Sequence, residues 1–277
     1  MTPDQYCQEK AAASGSSFYY SFLFLPAERR RAITALYAFC REVDDVVDES
    51  PEAQVAATKL AWWRHEVANL YAGDPQHPVT KALAVFKDRF SISEKSLNEI
   101  IDGMEMDLTQ TRYLDWPGLE RYCYRVASVV GLLAAGIFGY RDPKTLEYAK
   151  NLGLAFQLTN IIRDVGEDAR KNRIYLPMED LKKFGVPAAD ILGARQTPQL
   201  EKLLKYEAEK AKNYYDKAFA ALPAVDRRAQ RPGLIMAAIY RALLDEIERD
   251  GFHVLKQRVS LTPLRKFWIA WKTWIAA

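Results

Sequence analysis

Apolar residues recur at helical spacing along nearly the whole chain, and no useful stretch alternates apolar with polar in the two-residue period of a half-buried strand. After Pro26, a natural first-turn residue, the pattern predicts helices over 27–49, 53–72, 79–90, 94–110 and 118–139, with Ser93 capping the fourth. The turn at 141–143 leads into a helix that carries Asp164. Short helical pieces broken by Pro177, Gly185, Pro187 and Gly193 fill 178–198, and long helices follow over 198–221 and 233–250. The expected architecture is all-α, a helical bundle in one domain spanning 1–277, without linker or low-complexity segment.

Two predicted helices have an unusual texture. Most surface helices turn a polar stripe to water. In 151–180, Gln157, Asn160, Asp164 and Asp168 stand three, four and four residues apart, so they share one face, yet Leu158, Ile161, Ile162 and Val165 flank them. In 27–49 the segment REVDDVVD repeats the theme: Asp44 and Asp48 are one turn apart, Arg41 lies a turn before, and Tyr37 a turn before that. One such pair is commonplace on a solvated face. Two pairs on two apolar helices predict a cage of four facing carboxylates, which would repel one another unless cations intervened. Carboxylate and amide oxygens are hard ligands suited to Mg²⁺, several ions per site. Arg163, Arg170, Lys171, Arg173 and Tyr175 suit the anion such a metal would hold.

The helix over 118–139 is the most apolar. Ala127, Ser128, Gly131, Ala134, Ala135 and Gly136 leave room along one side, and Tyr122 and Val126 continue that side upward. Either a tightly packed central helix or the wall of a long apolar cavity fits this pattern. At the end of the chain, Phe267, Trp268, Trp271, Trp274 and Ile275 form one stripe with Lys266 and Lys272 off it. Packing against the body is the first expectation for that stripe, and peripheral contact with a membrane interface is the competing one.

Composition removes other classes. A net charge of +3 gives no footprint for nucleic acid. Cys7, Cys40 and Cys123 lack metal or redox spacing, which points to a reducing, cytoplasmic setting, peripheral on the inner membrane face if the stripe docks there. No secretory signal is expected at the start, and the longest apolar run, Val126–Phe138, is short for a membrane span. The three histidines lack His or Cys partners, and both the dinucleotide fingerprint and the phosphate-binding loop are missing. Asp102, Glu105 and Asp107 are expected at supporting or surface positions rather than as ligands.

Acidic helices bridged by Mg²⁺, with arginines at hand, describe a site for a diphosphate leaving group. No nucleophile or general base stands out, which fits ionisation of the substrate. An apolar cavity beneath would hold an allylic cation away from water.

The stretches SSFYYSFLFLP, YAFCREVDDVVD, YCYRVASVVG and LAFQLTNIIRDVGEDARKNRIYLP resemble the squalene and phytoene synthase family, from about residue 14 to the C-terminus. The resemblance implies an isoprenoid-synthase-type helical bundle with a central cavity, joining two prenyl diphosphates head to head (1′–1). Asp44, Asp48, Asp164 and Asp168 match its Mg²⁺-binding motifs, with Asn160 and Gln157 beside the second. Arg41, Arg163 and Tyr175 match its diphosphate-contacting positions, Phe18 and Tyr37 its pocket, and Tyr240 and Arg258 match more loosely. Where the family often has His or Ser, this chain has Ser14 and Gly15.

GSSFYYSFLFLP, DGMEMDLTQTRY, RRAQRPGLIMAAIYR and QRVSLTPLR resemble, within the family, the bacterial enzymes that make presqualene diphosphate for hopanoids. This implies two farnesyl diphosphates as substrates, no requirement for NADPH, and hand-off of the product to a squalene-forming enzyme. A complete squalene synthase or a phytoene synthase is the sibling alternative. A lipid-binding or assembly relative is the non-enzymatic one, against which the four intact aspartates argue.

Overall fold

Proline and short polar side chains open most of the helices. Asp115 caps one by accepting from the Gly118 N–H at 2.9 Å, and Thr197 caps another by accepting from the Leu200 N–H at 3.1 Å. The computed structural model describes residues 1–13, 21–22, 24–50 and 52–276, and there is no strand among them. The helices are α1 (Pro3–Ala13), α2 (Ala27–Glu49), α3 (Ala53–Ala72), α4 (Pro78–Ala84), α5 (Glu94–Thr109) and α6 (Trp116–Phe138). They continue as α7 (Lys144–Arg170), α8 (Met178–Phe184), α9 (Ala188–Leu192), α10 (Pro198–Ala221), α11 (Arg231–Arg249) and α12 (Pro263–Ala276).

Three elements depart from the sequence reading. Helix α1 was not anticipated, although Thr2-Pro3-Asp4-Gln5 is a legible capping box. The Gln5 N–H donates to Thr2 Oγ1 at 3.2 Å, and the Thr2 N–H donates to Gln5 Oε1 at 2.8 Å. The helix expected over 79–90 is regular only to Ala84 and unwinds through turns to Ser91, whose φ of 52° cannot continue a right-handed helix. Helix α6 has the length and apolar composition of a membrane span, contrary to expectation. In the fold it lies between the other helices, packed on α7 and α5.

The buried apolar residues form two clusters. One is built on α7, α10 and α11, the other on α2, α3, α4 and α5, and α6 contributes to both. Close approach of α6 to α7 requires glycine: a Cβ on Gly153 would stand 2.6 Å from Ser128 Cα and 2.7 Å from the Ala127 carbonyl oxygen. At the same level, Tyr124–Ser128 winds as a π turn. Residues four apart in an α-helix drift by about 40° per step. The wider turn removes part of that drift, so Tyr122, Val126, Val130 and Ala134 stay along one wall.

Candidate active site

Helices α2 and α7 deliver their acidic pairs in their last two turns, where the C-terminal end of the helix macrodipole disfavours further negative charge. Asp44, Asp48, Asp164 and Asp168 line one charged cavity of about 550 Å³ together with Arg41, Arg163, Arg170, Lys171, Arg173 and Arg258. Three of the four carboxylates carry their own cations. Arg41 Nη1 donates to Asp44 Oδ2 at 2.6 Å. Lys171 Nζ and Arg173 Nη1 sit 3.0 and 3.1 Å from Asp48 Oδ1. Asp164 Oδ1 accepts from Arg163 Nε at 2.7 Å and from Arg258 Nε at 2.8 Å. The Asp168 side chain has no hydrogen bond or ion pair among the described residues.

The electrostatics follow from this inequality. Burial, then the charges of Asp164 and Asp107, push the Asp168 carboxyl up to about 7. Burial, then Asp48 and Asp45, push Asp44 up to about 6 in spite of Arg41. Burial works the same way on Asp164, but the hydrogen bonds and charges of Arg163 and Arg258 outweigh it and hold its carboxyl below the ordinary range. The Cys40 thiol nearby is pushed up to about 12, mainly by burial, so it stays protonated and is no thiolate ligand.

The donor set fits a hard divalent cation. Asp168 lacks a partner, and the buried Asn160 Oδ1 is an amide oxygen with no hydrogen bond. The expected four-carboxylate cage needs one correction. Among the described residues no group of three or more His, Cys, Asp or Glu side chains is arranged to hold one ion. The acidic pairs line the walls of a shared cavity instead of converging. That is the usual arrangement for Mg²⁺, which takes one or two carboxylates and completes its shell with water and substrate phosphate oxygens.

A second cavity, of about 190 Å³, is lined almost wholly by apolar groups. It shares Cys40, Val126, Gln157 and Asn160 with the charged one, so the two meet at that collar. Helix α6 is therefore a cavity wall, with Val126, Val130 and Ala134 facing in. Tyr37 and Tyr240 line the apolar side, and the Tyr240 ring lies 4.8 Å from that of Phe156. Phe18, Ser14 and Gly15 fall outside the described residues.

Tyr122 and Tyr175 line the charged cavity, and between them lies Asp107, one of the three acids expected at supporting or surface positions and here in a supporting one. Asp107 is buried, and its carboxyl is pushed up to about 6 by burial although both tyrosines donate to it. Of its neighbours, Asp102 and Glu105 do lie at the surface, paired with Arg64 at 2.6 and 2.8 Å. The clue was legible: Leu97, Ile100, Ile101 and Met104 mark the buried face of α5, and Asp107 continues that face by three residues. A strap holds Tyr175 in place. The loop after α7 pairs with the loop after α5, Ile174 N–H donating to the Thr111 carbonyl at 3.0 Å and Met178 N–H to that of Tyr113 at 2.8 Å.

The family model described as squalene/phytoene synthase matches residues 11–265. The chain is 34% identical over 273 residues to a phytoene synthase of Arthrospira platensis, covering 94% of this chain and 88% of that one. It is 33% identical over 283 residues to a 15-cis-phytoene synthase of Synechocystis sp., covering 98% and 84%. Among solved structures, a dehydrosqualene synthase in complex with ligand superposes with a TM-score of 0.89 at 30% identity, covering 98% and 95% of the two chains. The squalene synthase HpnC from Alicyclobacillus acidocaldarius superposes with a TM-score of 0.81 at 26% identity, covering 90% and 94%.

Proposed function

The chain belongs to the squalene/phytoene synthase family, and we propose that it condenses two farnesyl diphosphates to presqualene diphosphate, with Mg²⁺ and with release of diphosphate. The observation that carries a prenyl diphosphate reading is the pair of joined cavities, one lined by acids and bases, the other apolar. A diphosphate head and a hydrocarbon tail need those two environments, in contact and in that order.

Arg41, Lys171, Arg173, Arg163 and Arg258 offer fixed positive charge to the diphosphates of both substrates. Asp44, Asp48, Asp164, Asp168 and Asn160 are the groups that would hold Mg²⁺. When bound, the metal supplies charge neutralisation for the departing diphosphate oxygens. The C1–O bond of the first substrate breaks with its electrons going to diphosphate. The apolar cavity keeps water from the allylic cation, and the faces of Phe156 and Tyr240 offer it π density. The C2=C3 bond of the second substrate attacks C1, and loss of a proton from C1 closes the cyclopropane. Released diphosphate takes that proton, because no side chain here is placed as an obvious base. Tyr122 and Tyr175, whose hydroxyls donate to Asp107, stand at the charged side with their rings and oxygens held in place.

Farnesyl diphosphate as substrate rests on DGMEMDLTQTRY, RRAQRPGLIMAAIYR and the other stretches that resemble presqualene diphosphate-forming enzymes. A second reading, phytoene synthesis from two C20 diphosphates, is favoured by the names of the relatives at 33–34% identity. Purified protein with Mg²⁺ and either farnesyl or geranylgeranyl diphosphate, with and without NADPH, separates the readings by mass spectrometry. A C30 diphosphate unaffected by NADPH is the expected result. Squalene formed only with NADPH would make it a complete squalene synthase, and a C40 hydrocarbon alone would make it a phytoene synthase.

A further inference from the structure

The last helix leaves its apolar face in solvent. Leu264, Phe267, Trp268, Trp271, Trp274 and Ile275 all rank among the exposed large hydrophobics, with Trp268 at 58% and Ile275 at 57% of full exposure. Only Ala270 is buried on the opposite side. The sequence expectation that the stripe packs on the body holds only for Trp274 and is otherwise corrected: small Ala270 seats the helix, and Phe267, Trp268, Trp271 and Ile275 stay exposed. Leu264, Trp268, Trp271 and Ile275 follow at intervals of four, three and four, which is a single outward stripe.

We propose that α12 docks this protein on an anionic lipid surface. Three observations select a bilayer. The stripe holds two tryptophans, Trp268 and Trp271, the residue type favoured at the water–lipid boundary, where an apolar ring and a polar N–H are satisfied together. From Val254 to Ala277 the chain carries no acidic residue, and while Arg258 and Arg265 pair with Asp164 and Glu246, Lys256 and Lys272 are exposed to complement anionic headgroups. The helix also lies next to residues at the rims of both cavities. Trp274 stacks on Phe24 with ring centroids 5.3 Å apart, and the Arg231 guanidinium lies 5.4 Å from the Trp274 ring centre. The chain neighbours of those contacts, Phe22, Pro232 and Gly233, line the apolar cavity. At the other end, Lys266 lies in the field of Arg163 and Arg258, which line the charged cavity. A surface that takes α12 is thus one helix thickness, about 10 Å, from the cavity wall. An amphiphilic substrate dissolved in lipid has a short route to it.

Flotation of the full chain, without substrate, on vesicles of phosphatidylcholine with phosphatidylglycerol and of phosphatidylcholine alone tests the proposal. Preferential, salt-sensitive binding to the anionic vesicles is expected, with a blue shift of tryptophan emission. The double substitution Trp268→Ser/Trp271→Ser is expected to weaken binding about tenfold or more, and Lys272→Glu several-fold, with circular dichroism and turnover of detergent-dispersed substrate unchanged. Absence of wild-type binding to either vesicle, or equal binding by the double variant, would overturn it. A wild-type dimer that the double substitution splits, with vesicle binding unaltered, would assign the face to a second copy of the chain.

Discussion

Tyr122 and Tyr175 stack with ring centroids 5.1 Å apart and donate to opposite oxygens of one buried carboxylate, Asp107, at 2.9 and 2.8 Å. A single acid thus fixes the direction of two hydroxyls at the edge of the charged cavity. Asp107→Asn keeps the shape but presents an N–H₂ group to one tyrosine, which then loses its acceptor. The expected outcome is a loss of kcat of about 10²-fold with little change in KM. Melting temperature should fall by only a few degrees, about 1–2 kcal/mol for one mispaired buried group. Unchanged kcat would reduce the triad to packing.

The acidic pairs are the centre of the proposed chemistry. Asp44→Asn or Asp164→Asn should lower turnover by about 10³-fold or more, since an amide neither binds the cation strongly nor balances the arginines. Helix content by circular dichroism should be retained. Near-wild-type activity in either variant would end the metal reading.

Asp44 and Asp168 bind protons more tightly in the folded chain than in the unfolded one, at about 6 and about 7 against an ordinary 3.8. Their contribution to stability is therefore present at acidic pH and is lost as pH rises through those values. The buried Glu207, pushed up to about 7, acts in the same direction. Metal-free protein should melt progressively lower from about pH 5 to about pH 8, and Mg²⁺ with inorganic diphosphate should recover the loss at the alkaline end. Asp168→Asn should flatten the slope. A melting curve that rises over this interval would contradict the electrostatics described above.

Gly166 stands between Asp164 and Asp168, and a Cβ there would meet the Leu255 carbonyl oxygen at 2.1 Å. The motif needs glycine so that the 252–255 segment can lie on α7 and carry Arg258 to Asp164. Gly166→Ala should cost about 1–3 kcal/mol in stability. It should also separate Arg258 from Asp164, so that KM for the diphosphate substrate rises more than Arg258→Lys alone produces. Stability and KM both unchanged would show that the segment is free to move.

Much of this was legible because the helical pattern and the chemistry share one code. Helices α2, α3 and α10 match the predicted ranges residue for residue, since proline, capping side chains or glycine mark their ends. The acidic pairs were legible because an aspartate on an apolar helix contradicts its surroundings. Asp107 broke the same rule, but with Asp102 and Glu105 so near, the sequence left open which of the three acids supports the site and which lie at the surface. The strap between Ile174 and Thr111 left no sequence trace, because backbone hydrogen bonds between loops depend on where the helices deliver them. The fate of the C-terminal stripe was illegible for a related reason. Which face of a helix meets the body is decided by the space its neighbours leave.

The π turn at Tyr124–Ser128 has a bearing on how this wall tolerates change. A π turn spends one more residue than an α turn over a similar rise. Removing one residue there would leave a plain helix with the two halves of α6 near their present register, because one full turn is completed either way. Tyr122 would stay near Asp107, and Val130 and Ala134 would stay at the cavity. The π turn is thus the place where this wall can lose a residue without losing its register.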